Sequence, residues 1–206
     1  MTIPHHIQEL ADRAKPFYDN KLAYHGWSHA EQVMRDVARI IREMGALSVA
    51  IDQDVLLVAA AWHDAGYSDP RADEFESKEH YAVYLANREV GQSLGEDIEV
   101  VERAILATRK HVHRTTPEEV ILHYADVANM GYEYPAFYEF TIRLWRERGC
   151  PDWSEFLERT SQAIGQCVME AEQELPLIGM PIDTPSSFPV IARANLAQLR
   201  QEPAPK

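Results

Sequence analysis

Cysteine is nearly absent. Cys150 and Cys167 are the only two in 206 residues, too few for a disulfide framework or a thiolate zinc cage, so reduced thiols are expected. Long apolar runs are missing as well. The longest, Val55 to Trp62, falls far short of the ~20 residues that span a bilayer. The start, MTIPHHIQEL, lacks the basic stretch followed by an apolar one that marks a secretory leader. A cytoplasmic protein with no membrane partner is expected. Positive charge is also scarce: 20 Lys and Arg against 33 Asp and Glu leave a formal charge of −13. Such a surface repels phosphate backbones, and no nucleic-acid polymer is expected as a partner.

What is present is ordinary for a globular chain, with 46% hydrophobic and 26% charged residues. At roughly 150 residues per domain, one domain over 1–206 is expected. Nine histidines are the compositional oddity, because neutral imidazole is the commonest holder of transition metals.

Apolar residues recur at helical spacing and no stretch alternates long enough for a strand, so the fold class is all-α. Ser28 with Glu31 has the spacing of a capping box, opening a helix with Val33, Val37, Ile40, Ile41 and Met44 on its apolar face and Gly45 as its stop. A second helix runs from about Asp54 to Asp64, apolar on nearly every side, with Gly66 offering a left-handed turn after it. Asp73 with Glu76 is read as capping a third helix, carrying Tyr81, Tyr84 and Leu85. Asp97 opens a fourth, with Ile98, Val101, Ile105 and Thr108 on one stripe. Thr116, Pro117 and Glu119 form a capping threonine, first-turn proline and reciprocal glutamate before Val120, Tyr124 and Val127, with Gly131 after the end. Helices from about Pro135 to Arg148 and Asp152 to Leu175 follow. Leu177 to Pro189 reads as a surface loop before a short last helix and a frayed EPAPK tail.

Chemistry enters where polarity interrupts apolar helices. The second helix ends abruptly in His63-Asp64, a pair that costs several kcal/mol to bury unless it is paired or coordinating. Either it is a helix C-terminus, with His63 favoured by the dipole and Asp64 capping the loop, or it is a ligand pair. Asp126 stands in ILHYADVANM, inside the best-marked helix, as a solvated face or as a ligand. His29 lies in the first turn of its helix, where a cation faces the positive end of the dipole and a neutral, ligating imidazole fits better. Together these four supply two imidazoles and two carboxylates from three helices, the way bundles build metal sites. Nitrogen and oxygen donors without sulfur suit a divalent Mn, Mg, Fe, Co, Ni or Zn.

The only dense basic run is Arg109-Lys110-His111-Val112-His113-Arg114. It reads either as a helix C-terminus compensating its dipole or as positive charge concentrated to admit an anionic substrate, with Arg109 best suited to bidentate phosphate contacts. The aromatics Tyr132, Tyr134, Phe137 and Tyr138 are open to three readings: pocket wall, core, or the surface of a homodimer. His123, three residues before Asp126, is either an outer partner of that carboxylate or the polar edge of a buried helix.

The three blocks YHGWSHAEQV, AAAWHDAGYSDP and HYADVANMG, in that order from Tyr24 to Gly131, resemble the H…HD…D signature of the HD superfamily of metal-dependent phosphohydrolases. The resemblance implies an orthogonal all-α bundle with a motif core over 24–131 and C-terminal helices over 135–200. It also implies metal ligands at His29, His63, Asp64 and Asp126, and a small phosphorylated substrate hydrolysed by a metal-activated water. The first block is similar to the YHN..H stretch of cyclic-nucleotide phosphodiesterases, which implies a proton donor at His25; the alternative is a loop histidine packed on Trp27. Nothing resembles those enzymes' nucleotide-binding glutamine region, so cyclic nucleotides are not favoured. Asp64 is a candidate for orienting the nucleophile, Glu79 for holding water, and Arg109, Lys110 and His111 for binding substrate. His80 with His111 is a candidate second metal site. That site would open a diiron oxygenase reading, and a non-catalytic nucleotide- or metabolite-binding module is the other rival.

Overall fold

The computed structural model describes residues 3–44 and 51–205. Among them there are helices and short 3-10 turns and no strand, as the periodicity predicts. The expected stop at Gly45 lies outside the described residues. The chain, read above as one domain, divides into two compact units, Met1–Asp126 and Val127–Lys206.

The first unit contains α1 (His5–Asp12), α2 (Trp27–Glu43), α3 (Gln53–Trp62), α4 (Lys78–Leu94), α5 (Ile98–Ala107) and α6 (Pro117–Asp126). Every residue from Val55 to Trp62 is buried, which is why α3 is apolar on all sides: α1, α2, α4, α5 and α6 all pack against it. α1, not expected from the sequence, is pinned to it by Trp62, whose indole N–H donates to Leu10 O at 3.1 Å.

Several helix ends differ from the sequence reading, each for a local reason. α2 starts at Trp27 with Gly26 as its extended N-cap. Ser28 is therefore already inside the first turn, and Glu31 accepts from the Trp27 indole at 2.9 Å instead of closing a capping box. Asp52 caps α3 by accepting from the amides of Asp54 and Val55. Asp73 belongs to the 3-10 turn Pro70–Glu74, and α4 is capped by Ser77, whose hydroxyl accepts from His80 N. Asp97 precedes α5 without a side-chain cap, because a 3-10 turn runs straight into the helix. The Thr116 and Glu119 capping box is formed in both directions, at 3.4 and 3.3 Å, but α6 stops at Asp126 rather than near Gly131.

The second unit holds α7 (Tyr134–Glu147), α8 (Trp153–Glu174) and α9 (Phe188–Leu199). Phe137, Trp153, Phe156, Ile164 and Leu199 are among its core residues, with Tyr134 and Tyr138 packed against them, so this part of the aromatic patch is core. Asn195 ties α9 to the preceding turn by donating to the carbonyls of Met130 and Tyr132. Gly131 is required there by close approach, since a Cβ would sit 2.8 Å from the Phe188 ring. The expected loop begins with a 3-10 turn, Leu175–Ile178.

Candidate metal centre

Within the first unit the helix ends deliver four side chains to one point. His29 comes from the first turn of α2, His63 and Asp64 from the end of α3, and Asp126 from the last residue of α6. One donor atom from each lies within 4.8 Å of all the others. His29 Nε2 is 2.9 Å from Asp126 Oδ1 and 3.7 Å from Asp64 Oδ2. His63 Nε2 is 3.2 Å from Asp64 Oδ2 and 3.4 Å from Asp126 Oδ1. The imidazoles are buried, at 4% and 1% side-chain exposure, while Asp64 and Asp126 keep 16% and 22%. The site therefore has a closed nitrogen side and an oxygen side that opens to solvent.

His63 serves the end of its helix and also stands in the donor cluster. Its Nδ1 lies 2.8 Å from Ala60 O, and because a carbonyl only accepts, Nδ1 carries the proton and serves the end of α3. That tautomer turns the Nε2 lone pair toward the two carboxylates. Nε2 is buried and makes no hydrogen bond. Lone pair and carboxylate oxygens facing one small space are mutually repulsive until a cation stands between them, so the donor set fits a divalent metal.

Without an ion, a proton on Nε2 relieves the same repulsion. Burial disfavours the His63 cation, yet Asp64 and Asp126 outweigh it and raise its pKa well above the imidazole range. Burial pushes Asp64 up, but the adjacent His63 overrides it and leaves the carboxyl lowered. Asp126 is likewise opposed by burial, and hydrogen bonding from His29 with the charge of His63 holds it well below the carboxylate range.

One residue that sequence reasoning passed over shapes this geometry, and another closes the end of α5. Tyr18, buried, donates its hydroxyl to Ala61 O at 2.9 Å and accepts from Asp64 N at 3.3 Å, which fixes the turn that presents Asp64. A lone tyrosine in KPFYDN carries no signal of that role. Arg114 was seen only as one member of the basic run. It is completely buried, and its guanidinium donates to Ala107 O at 2.9 Å and Arg109 O at 3.2 Å, satisfying carbonyls at the end of α5. For this residue the dipole-compensating account is the one the structure displays.

The other candidates fall around or away from the cluster. His25 stacks on Tyr67, not on Trp27, and its ring is 6.1 Å from that of His29. Arg109 binds Leu106 O through Nε and reaches Glu76 at 3.4 Å. Lys110 and His111 are exposed beyond the end of α5, His111 in a left-handed conformation at φ 61°. His80 is engaged by its own cap, Ser77 Oγ at 3.0 Å, and by Glu76 at 3.5 Å. Glu79 sits in the first turn of α4 and is half-buried. Among the described residues the metal-ligating group has four members and does not include His80, His111 or Glu79. His123 is buried, and burial with the nearby Arg114 charge pushes its pKa down to about 3.

The HD domain family matches residues 26–131, just over half of the chain, and this protein belongs to that family. No curated protein matches it. Among solved structures it is similar to the phosphodiesterase domain of the rhodopsin phosphodiesterase of Salpingoeca rosetta. The identity is 17% and the TM-score 0.68, covering 94% of this chain and 79% of that one. At that identity the likeness concerns the fold, which is the all-α fold of the HD kind. Among the described residues no helix is long and apolar enough to cross a membrane.

Proposed function

We propose that this chain is a metal-dependent phosphoric ester hydrolase acting on a small phosphorylated or nucleotide-like molecule. The observation that carries the reading is the convergence of His29, His63, Asp64 and Asp126 within 4.8 Å, in a chain of the HD family. These four would hold the ion, and their donors suit Mn, Mg, Fe, Co, Ni or Zn. When bound, a divalent cation supplies Lewis acidity, making water nucleophilic near neutral pH and drawing charge from phosphoryl oxygens.

The remaining work belongs to the protein. The Ala60 carbonyl keeps the His63 ring in its ligating tautomer. Asp64, on the open side, accepts a hydrogen bond from the attacking water and turns it toward phosphorus. His25, at the edge of the cluster, gives its proton to the leaving oxygen. Arg109 exchanges Glu76 for a substrate oxygen, and Lys110 adds positive charge on the same turn, which a chain of net charge −13 needs to attract an anion, while His111 offers a ring N–H to the substrate. Glu79 holds a water by hydrogen bonding from the first turn of α4.

A metal-replete screen over nucleoside monophosphates, dinucleotides and sugar phosphates tests this, with Asp64→Ala as control. Metal-dependent release of phosphate or alcohol is expected, and the variant should lose metal and turnover together. Unimpaired turnover by the metal-free variant would refute the reading. So would two irons per chain with substrate-dependent oxygen uptake, or tight binding without turnover under any divalent metal.

A further inference from the structure

We propose that Tyr67 is a positioning residue for His25: its phenol ring is the platform that sets the plane of the imidazole, and so the direction in which His25 delivers its proton. The catalytic consequence rests on the hydrolase reading above, whereas the placement rests on ring geometry alone.

His25 belongs to the irregular segment between the turn Lys15–Phe17 and α2. A proton donor in such a segment needs outside support, because misplacement by an ångström forfeits much of its effect. The support is aromatic. The His25 and Tyr67 rings are stacked, with centroids 3.9 Å apart and planes within 11°. Tyr24 meets the imidazole edge-on at 4.7 Å. The far face of Tyr67 is covered by Lys78, whose Nζ is 3.8 Å from the ring centroid and donates to Tyr67 O at 2.8 Å. A stacked ring and an ammonium both that close to one centroid must take opposite faces, so the phenol is clamped between them.

The platform shares its frame with the metal ligands. Tyr67 lies three residues after Asp64 in a turn closed by Ala65 N to Trp62 O, Tyr67 N to Asp64 O and Asp69 N to Gly66 O, at 2.9 to 3.1 Å. Gly66 takes φ 78°, and a Cβ there would meet the Tyr81 ring at 2.6 Å, so this path is open to glycine alone. Its amide donates to Phe17 O at 3.0 Å, anchoring the turn from outside. One short turn thereby carries His63 and Asp64 together with the Tyr67 ring. The spacing between ion site and proton donor is built into it.

The test uses the full chain loaded with Mg2+ or Zn2+. In histidine-labelled protein the His25 ring protons, assigned by their loss in His25→Ala, should be shifted upfield by the Tyr67 ring current. Tyr67→Phe should keep that shift and Tyr67→Ala should abolish it, with metal content unchanged in both. On phenyl phosphate, whose leaving oxygen needs a proton, Tyr67→Ala should lower kcat by about ten-fold or more with KM little changed. On p-nitrophenyl phosphate, whose leaving group departs as the anion, the loss should stay within about three-fold, and Tyr67→Phe should restore phenyl phosphate turnover. A His25 signal indifferent to Tyr67→Ala overturns the platform. Equal losses on both esters, or loss of metal from Tyr67→Ala, overturn the positioning role. A wild type inert on both esters with every metal overturns the hydrolase reading and proton delivery with it, while the ring-current shift still decides whether the platform exists.

Discussion

His29 Nε2 and Asp126 Oδ1 meet at 2.9 Å although their residues stand 97 positions apart in the chain. That contact joins the first turn of α2 to the last residue of α6, and His63 and Asp64 at the end of α3 close the group. The centre is made of helix termini, where a polar side chain can leave an apolar helix without crossing the core.

Metal stoichiometry follows from the size of the group. One divalent ion per chain is expected by elemental analysis, and Asp126→Asn or His63→Ala should retain less than about a tenth of it, since removing a single ligand typically costs far more than the 10- to 100-fold of an outer partner. Helical circular dichroism should persist. Full metal retention by either variant would remove that residue from the ligand set.

Tyr18→Phe deletes one hydroxyl that bridges Ala61 O and Asp64 N. A loss of about 1 to 2 kcal/mol in urea unfolding is expected, because a buried amide and carbonyl lose their partner. Metal affinity should fall by several-fold as the Asp64 turn loosens. Unaltered affinity alongside the stability loss would make Tyr18 a core residue only.

Two arginines of one basic run should behave in opposite ways. Arg114→Ala leaves the carbonyls of Ala107 and Arg109 without this buried donor, and should destabilise the protein by about 2 to 4 kcal/mol. Arg109→Ala removes a partly exposed side chain whose ion pair joins the exposed Glu76. Its stability should change by less than about 1 kcal/mol, while KM for the phosphorylated substrate rises. Thermal melts and steady-state kinetics on the two variants would separate these roles, and a swapped pattern would contradict them.

The acid response should carry the mark of His123. Burial and the Arg114 charge hold its pKa near 3 in the fold, against about 6.5 in the unfolded chain. Between those values the unfolded state binds a proton that the folded state refuses, so stability falls as pH drops below about 6.5, by up to about 1.4 kcal/mol per pH unit from this group. His123→Phe should lose stability less steeply between pH 6 and 4 in denaturant titrations. Parallel curves for variant and wild type would mean that His123 accepts its proton in the fold.

Much of the fold was legible locally. The all-polar-to-apolar rhythm marks most helices, the Thr116 and Glu119 box is formed as spaced, and the uniformly apolar Val55 to Trp62 stretch becomes the buried α3. The ends were less legible: Ser28 and Asp73 have the right chemistry for caps, but Gly26 and Ser77 take the positions, because capping depends on backbone angles as well as side-chain type. The candidate ligands were legible as polar interruptions of apolar helices, where burial without partners would be costly.

By itself, then, the sequence determined which segments are helical, which faces must be covered and which side chains are too polar to be covered without compensation. Only the tertiary structure decided that four of those side chains share one space, that Arg114 goes inside while Lys110 stays out, and that His25 leans on Tyr67 rather than Trp27. The physical reason is range. Periodicity and capping are set by residues a turn or two apart, whereas an ion site or a ring stack depends on donor atoms whose separation in the chain says nothing of their separation in space.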